Sequence, residues 1–157
     1  MRKIILLLLF STTCWSQATN FIARKKNLVW ENVVISDQAN IPELISKHPR
    51  LTVTSSNNSV YKGKGTLIKN TCPNTSPFME NEFSFDFEIE PGEGKYRVTV
   101  SNIVYSHAKS KNTTAAEKYF LEKGNLKQDT QSKTDLECLS LYFSRIFTMT
   151  MVYKNKM

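Results

Sequence analysis

Three carboxylates alternate with apolar residues in the segment Phe83-Ser84-Phe85-Asp86-Phe87-Glu88-Ile89-Glu90. Successive side chains of a strand point to opposite faces, so Asp86, Glu88 and Glu90 share one face, while Phe83, Phe85, Phe87 and Ile89 share the other. Neighbouring carboxylates are what acid/base hydrolysis needs, one giving a proton while the other activates water. They can equally pair across strands with Lys62, Lys64 or Arg97 and form a solvated sheet face of mixed charge. The second reading is preferred. It makes Lys62, Lys64, Asp86, Glu88 and Arg97 the candidate surface patch.

Other residue types offer less. Lys62-Gly63-Lys64-Gly65 lacks the Gly-Lys-Ser/Thr ending of a phosphate loop and continues as a strand. Its glycines are better explained by close packing or a bulge beneath a helix. The two histidines, His48 before Pro49 and His107 in a polar linker, suit surface positions. No ligand spacing for a metal and no Gly-x-Ser-x-Gly elbow occurs, so no catalytic, metal or cofactor site is expected. Six lysines against three acids lie between Lys109 and Lys133, with only Tyr119 and Phe120 as interleaved aromatics. That pattern fits non-specific attraction to anionic surfaces better than a nucleic-acid platform.

The N-terminus sets the context for the cysteines. Arg2-Lys3, the apolar run Ile4 to Phe10 and the polar Ser11-Thr12-Thr13 lead to Cys14-Trp15-Ser16 before Gln17. This layout predicts a signal peptide over 1–16, cleavage before Gln17 and export to the periplasm or beyond. Lipidation of Cys14 is disfavoured, because Ser11-Thr12-Thr13 is a poor match to the processing box. Cleavage of sixteen residues from the 157 leaves 141, with the charge falling from +7 to +5 and no span long enough for a membrane helix. Two cysteines remain, Cys72 and Cys138, and in an oxidising compartment they are expected to pair. Two separately buried thiols are the alternative, since Cys138 falls on an amphipathic helix.

These groups need a scaffold. Residues 17–27 are polar and basic and read as a flexible lead-in to one domain over 28–152. Leu28 to Ile35 is β-branched and aromatic, hence a strand. Ser36 or Asp37 then caps a short helix over Gln38 to Lys47, ended by Pro49. Leu51 to Ser55 and Val60 to Lys69 form a hairpin. Phe83 to Glu90 and the alternating Tyr96, Val98 and Val100 form another, turned by Pro91-Gly92-Glu93-Gly94. Thr114-Ala115-Ala116-Glu117 and Thr134-Asp135-Leu136-Glu137 match the capping box, predicting a short helix stopped by Gly124 and a longer C-terminal one. In the latter Leu136, Leu139, Phe143, Ile146 and Phe147 recur at helical spacing. Strands followed by helices predict an α+β fold: an antiparallel sheet of about five strands, a short helix after the first, and the C-terminal helix across one face.

With this order, the stretches Leu28 to Val33, Tyr61 to Thr66, Phe83 to Glu90 and Lys95 to Val104 make the chain resemble an exported bacterial domain of unknown function with a TATA-box-binding-protein-like fold. The resemblance covers about residues 28–150. It implies fold and location only, and DNA binding does not follow from a fold name. The expected function is a non-enzymatic exported module that binds a protein or cell-envelope component, with no nucleic acid. One alternative is a carrier of a small apolar ligand, lipid or peptide, between sheet and C-terminal helix, with Phe143, Phe147, Met149 and Met151 as lining. A third is a hydrolase using Asp86 or Glu88.

Overall fold

The computed structural model describes residues 19–36, 40–57, 59–107 and 112–148. The leader with its cut before Gln17, Cys14, Asp37 as a helix cap, and Met149 and Met151 lie outside the described residues.

The first described elements form a hairpin that the composition of this segment conceals. Strand β1 (Phe21–Arg24) pairs antiparallel with β2 (Asn27–Ile35) across Lys25 and Lys26. Both lysines hold positive φ, 49° and 69°, the left-handed pair that a two-residue hairpin requires. The expected flexible lead-in over 17–27 is therefore corrected over 21–27. Polar and basic residues can line a two-residue turn and a half-exposed edge strand, and Phe21 anchors the strand in the core.

Helix α1 (Ile41–Ser46) is shorter than expected and starts later. The Asn40 side chain accepts a hydrogen bond from the Glu43 amide at 3.2 Å, so Asn40, and not Ser36, is the cap. Pro42 stands in the first turn, where its missing amide hydrogen has no partner to lose. Ile41, Leu44 and Ile45 point inward. Strands β3 (Leu51–Ser56), β4 (Tyr61–Ile68), β5 (Phe83–Gly92) and β6 (Lys95–Ser106) follow as an antiparallel meander. β2 closes onto the free side of β6, giving the order β1-β2-β6-β5-β4-β3. The five long strands are those expected; β1 and the short β7 (Thr113–Ala115), which extends alongside the far end of β6, bring the sheet to seven.

Two bulges flank β5 at one level. On β4 the register slips between Gly65 and Ile68, with Leu67 at φ 52°, and on β6 Asn102 takes φ 51° opposite the slip between Ser84 and Asp86. Each bulge adds a residue and sharpens the local twist. The second also flips the inward set of β6 from even to odd numbers: Tyr96, Val98 and Val100, then Ile103 and Tyr105. Asparagine tolerates the left-handed region, and its amide donates to Asp86 Oδ2 at 2.7 Å.

The helical readings downstream need two corrections. Thr114 to Glu117 does not cap a helix: β7 occupies Thr113–Ala115, α2 is a single turn (Glu117–Phe120), and β8 (Leu121–Glu122) and β9 (Asn125–Leu126) follow as a small hairpin. Lys123 and Gly124, at φ 51° and 82°, form its turn, so Gly124 serves the hairpin rather than a helix end. Pairing with β6 consumes the Thr114 backbone, and its hydroxyl lies 2.8 Å from His107 Nε2. Helix α3 (Thr130–Phe147) starts one turn before the Thr134 box, capped by Asp129, whose carboxylate accepts from the Ser132 amide at 2.8 Å. Asp129 offers an equally good acceptor and adds a full turn, while the Thr134 hydroxyl bonds back to the Thr130 carbonyl.

α3 lies across one face of the sheet. Phe143 packs against Trp30 and Phe85 with ring centroids 5.4 and 5.0 Å apart, and Phe147 packs against Phe87 at 5.4 Å. Tyr96 donates to the Phe147 carbonyl at 2.6 Å, satisfying one of the acceptors that the helix end leaves open.

Candidate binding surface

Among the described residues, the opposite face of the sheet carries no helix. Its residues are set by the same alternation that builds the core: inward Phe85, Phe87 and Ile89 of β5 alternate with outward Asp86, Glu88 and Glu90. In the observed register Lys62 lies opposite Glu88 and Lys64 opposite Asp86, and the pairs close to 2.9 and 3.5 Å. Arg97 stands opposite Glu90 at 3.5 Å. The five patch residues thus share one face, with their charged groups joined strand to strand. They remain well exposed, so each pair contributes little stability. Between β3 and β6 the face dips into a depression of about 330 Å³, lined by Lys62, Lys64, Asp86 and Glu88 together with the hydroxyls of Thr54, Thr99 and Ser101. Arg97 lies beyond its rim. The lining also includes Gly63 and Phe87, so charged and hydroxyl groups stand beside apolar surface.

Gly63 and Gly65 have a packing role. They pair with Phe87 and Phe85, whose rings fold over the bare Cα atoms. A β-carbon at either position would overlap the facing ring, so glycine lets the aromatic row lie flat under α3.

The cysteines meet as expected: Cys72 and Cys138 form a disulfide with Cα atoms 6.1 Å apart. It ties the loop before the Pro77–Glu80 turn to α3. The same junction holds the residue that the sequence reading passed over. Asp135 is 1% exposed and accepts from the Ser76 amide at 2.9 Å and the Gln131 side chain at 3.0 Å. Its place three residues before Cys138, on the same helix face, was the available signal. Burial, then the Asp135 and Tyr119 side chains, push the nearby Tyr105 hydroxyl far above the ordinary tyrosine range. That hydroxyl donates to Met79 Sδ at 3.0 Å. The cluster is saturated by its own contacts and has the character of a structural clamp.

The histidines sit apart from the open face. His48 Nδ1 accepts from the Arg50 amide at 3.3 Å, and burial followed by the Arg50 charge lowers its pKa. No helix among the described residues is long and apolar enough to cross a membrane.

An antiparallel sheet with a C-terminal helix across one face, the other left bare among the described residues, defines an α+β domain with a TATA-box-binding-protein-like fold. The chain superposes on a TBP-like protein from Parabacteroides distasonis with a TM-score of 0.54 at 13% identity, covering 79% of this chain and 92% of that one. A DUF4468 family protein from Bacteroides ovatus gives a TM-score of 0.47 at 14% identity over 79% of this chain and 84% of that one. No family model matches the chain, and no curated protein matches it. The resemblance read from the strand order holds at the level of the fold.

Proposed function

We propose that the chain is an exported, non-enzymatic module that binds a protein or a cell-envelope component through the open face of its sheet. The observation that carries this reading is the asymmetry of the sheet. One face is closed by α3 and α1 over a filled aromatic core, while the other presents Lys62, Lys64, Asp86 and Glu88 around an open depression. Exposed surface of this kind, held on a rigid sheet, suits recognition of a polar partner.

The packing of the described residues favours this reading over an apolar carrier. Phe143 and Phe147 are fully buried against Trp30, Phe85 and Phe87 rather than lining a cavity. A hydrolase using Asp86 or Glu88 would have to release carboxylates held by Lys64, Asn102 and Lys62. The row of carboxylates along β5 also opposes nucleic acid, since it would face the phosphate backbone.

The test retains the protein on beads, exposes it to envelope extract, and compares it with a Lys62→Glu/Lys64→Glu variant, with native mass spectrometry of what stays bound. The reading expects a macromolecule held by the wild type and lost from the variant. Recovery of a stoichiometric lipid and no macromolecule would support the carrier instead.

A further inference from the structure

The folded chain gathers lysines from two distant segments at one place. The β1–β2 turn carries Lys25 and Lys26 beside Arg24, and the β8–β9 turn carries Lys123 with Lys127 following. These turns touch: a β-carbon built on Gly124 would stand 3.5 Å from Lys26 Cγ. The Leu28 amide donates to Glu117 Oε1 at 3.0 Å, which brings the next residue, Lys118, to the same end of the molecule. That bond engages Glu117, and Glu31 is engaged by Arg24 at 2.8 Å. Among the described residues, Lys25, Lys26, Lys118 and Lys123 have no carboxylate within ion-pair distance, in contrast to Lys62, Lys64 and Arg97 on the open face.

We infer that this double-turn patch docks on the anionic headgroup surface of a lipid bilayer. Two features favour that occupant. The free charges are lysines, compact point charges suited to a diffuse negative surface rather than to bidentate recognition of one phosphate. Three of them, Lys25, Lys26 and Lys123, are carried on two neighbouring two-residue turns, which one surface can meet together. The inference is independent of the open sheet face.

The test is co-sedimentation with phosphatidylcholine vesicles containing about 30% phosphatidylglycerol, against pure phosphatidylcholine, in low and high salt. Lys25→Asn/Lys26→Asn removes two charges while keeping a residue that accepts the left-handed turn. Lys47→Gln/Lys95→Gln removes two charges outside both the turn patch and the open-face patch. Binding is expected to the anionic vesicles alone, to fall with salt, and to weaken roughly tenfold or more in the turn variant. The Lys47/Lys95 variant is expected to stay within about twofold of wild type. Equal loss in both variants, equal binding to neutral vesicles, or capture by soluble heparin without any vesicle binding would overturn it. Thermal melts of both variants confirm that each is folded.

Discussion

Replacing Gly65 with alanine tests how β4 and β5 are packed. The new β-carbon would stand 2.5 Å from Phe85 Cε1 and 2.9 Å from Cε2, and nearer still to Cζ. Ordinary carbon contacts need about 3.5 Å, so the ring must retreat by about 1 Å. It cannot do so freely, because Phe143 lies 5.0 Å away on α3 and Phe147 at 6.3 Å. Overpacking of this kind costs about 1–3 kcal/mol, and the crowding here places Gly65→Ala near the upper end. For a domain of about 125 residues, a loss of about 3 kcal/mol lowers the melting temperature by about 10 °C. The assay is thermal and urea unfolding of the wild type, Gly65→Ala, Phe85→Leu and the double variant. Since Phe85→Leu removes the obstructing ring, the double variant should recover at least about 1 kcal/mol over the sum of the single effects. Gly63→Ala supplies the contrast. Its β-carbon would overlap the Thr52 carbonyl oxygen as well as the Phe87 ring, so Phe87→Leu should rescue it only in part. A Gly65→Ala variant melting within about 2 °C of wild type, or a coupling near zero, would refute the packing argument.

Replacing Cys72 and Cys138 together by alanine should lower unfolding free energy by about 4 kcal/mol, because the disulfide spans a separation of 66 residues; urea unfolding of the variant reads it. Asp129 is held below the ordinary carboxylate range, first by the Ser132 amide. A depressed folded-state pKa means that its stabilising effect is present above the unfolded pKa and lost as pH falls through the folded one, below about 4. Melts between neutral and acid pH should therefore show a shallower acid loss in Asp129→Asn, which keeps the cap without the charge. Lys62→Ala and Lys64→Ala, which break exposed pairs, should each change stability by less than about 1 kcal/mol in the same unfolding assay.

The parts that were legible in the sequence are those governed by local repetition. The alternation over Phe83–Glu90 set both the core face and the charged face of β5, and the apolar spacing after Leu136 set the buried stripe of α3. Local rules failed where two local solutions competed. Thr114 to Glu117 can cap a helix or pair with β6, and the free edge of β6 beyond Val100 decided for pairing. Arg24-Lys25-Lys26 reads as solvated chain until β2 is present to receive Phe21 opposite Trp30.

By itself the sequence determined an α+β chain with one strongly two-faced strand, a C-terminal amphipathic helix and two cysteines available to pair, because period and composition are properties of neighbours along the chain. Tertiary structure alone decided that Lys62 meets Glu88, that Asp135 is buried against Ser76, that Gly65 lies under Phe85, and that Lys26 touches the Gly124 turn. Those depend on strand register and on the path of loops between distant segments, and a slip of one residue in either would exchange every partner.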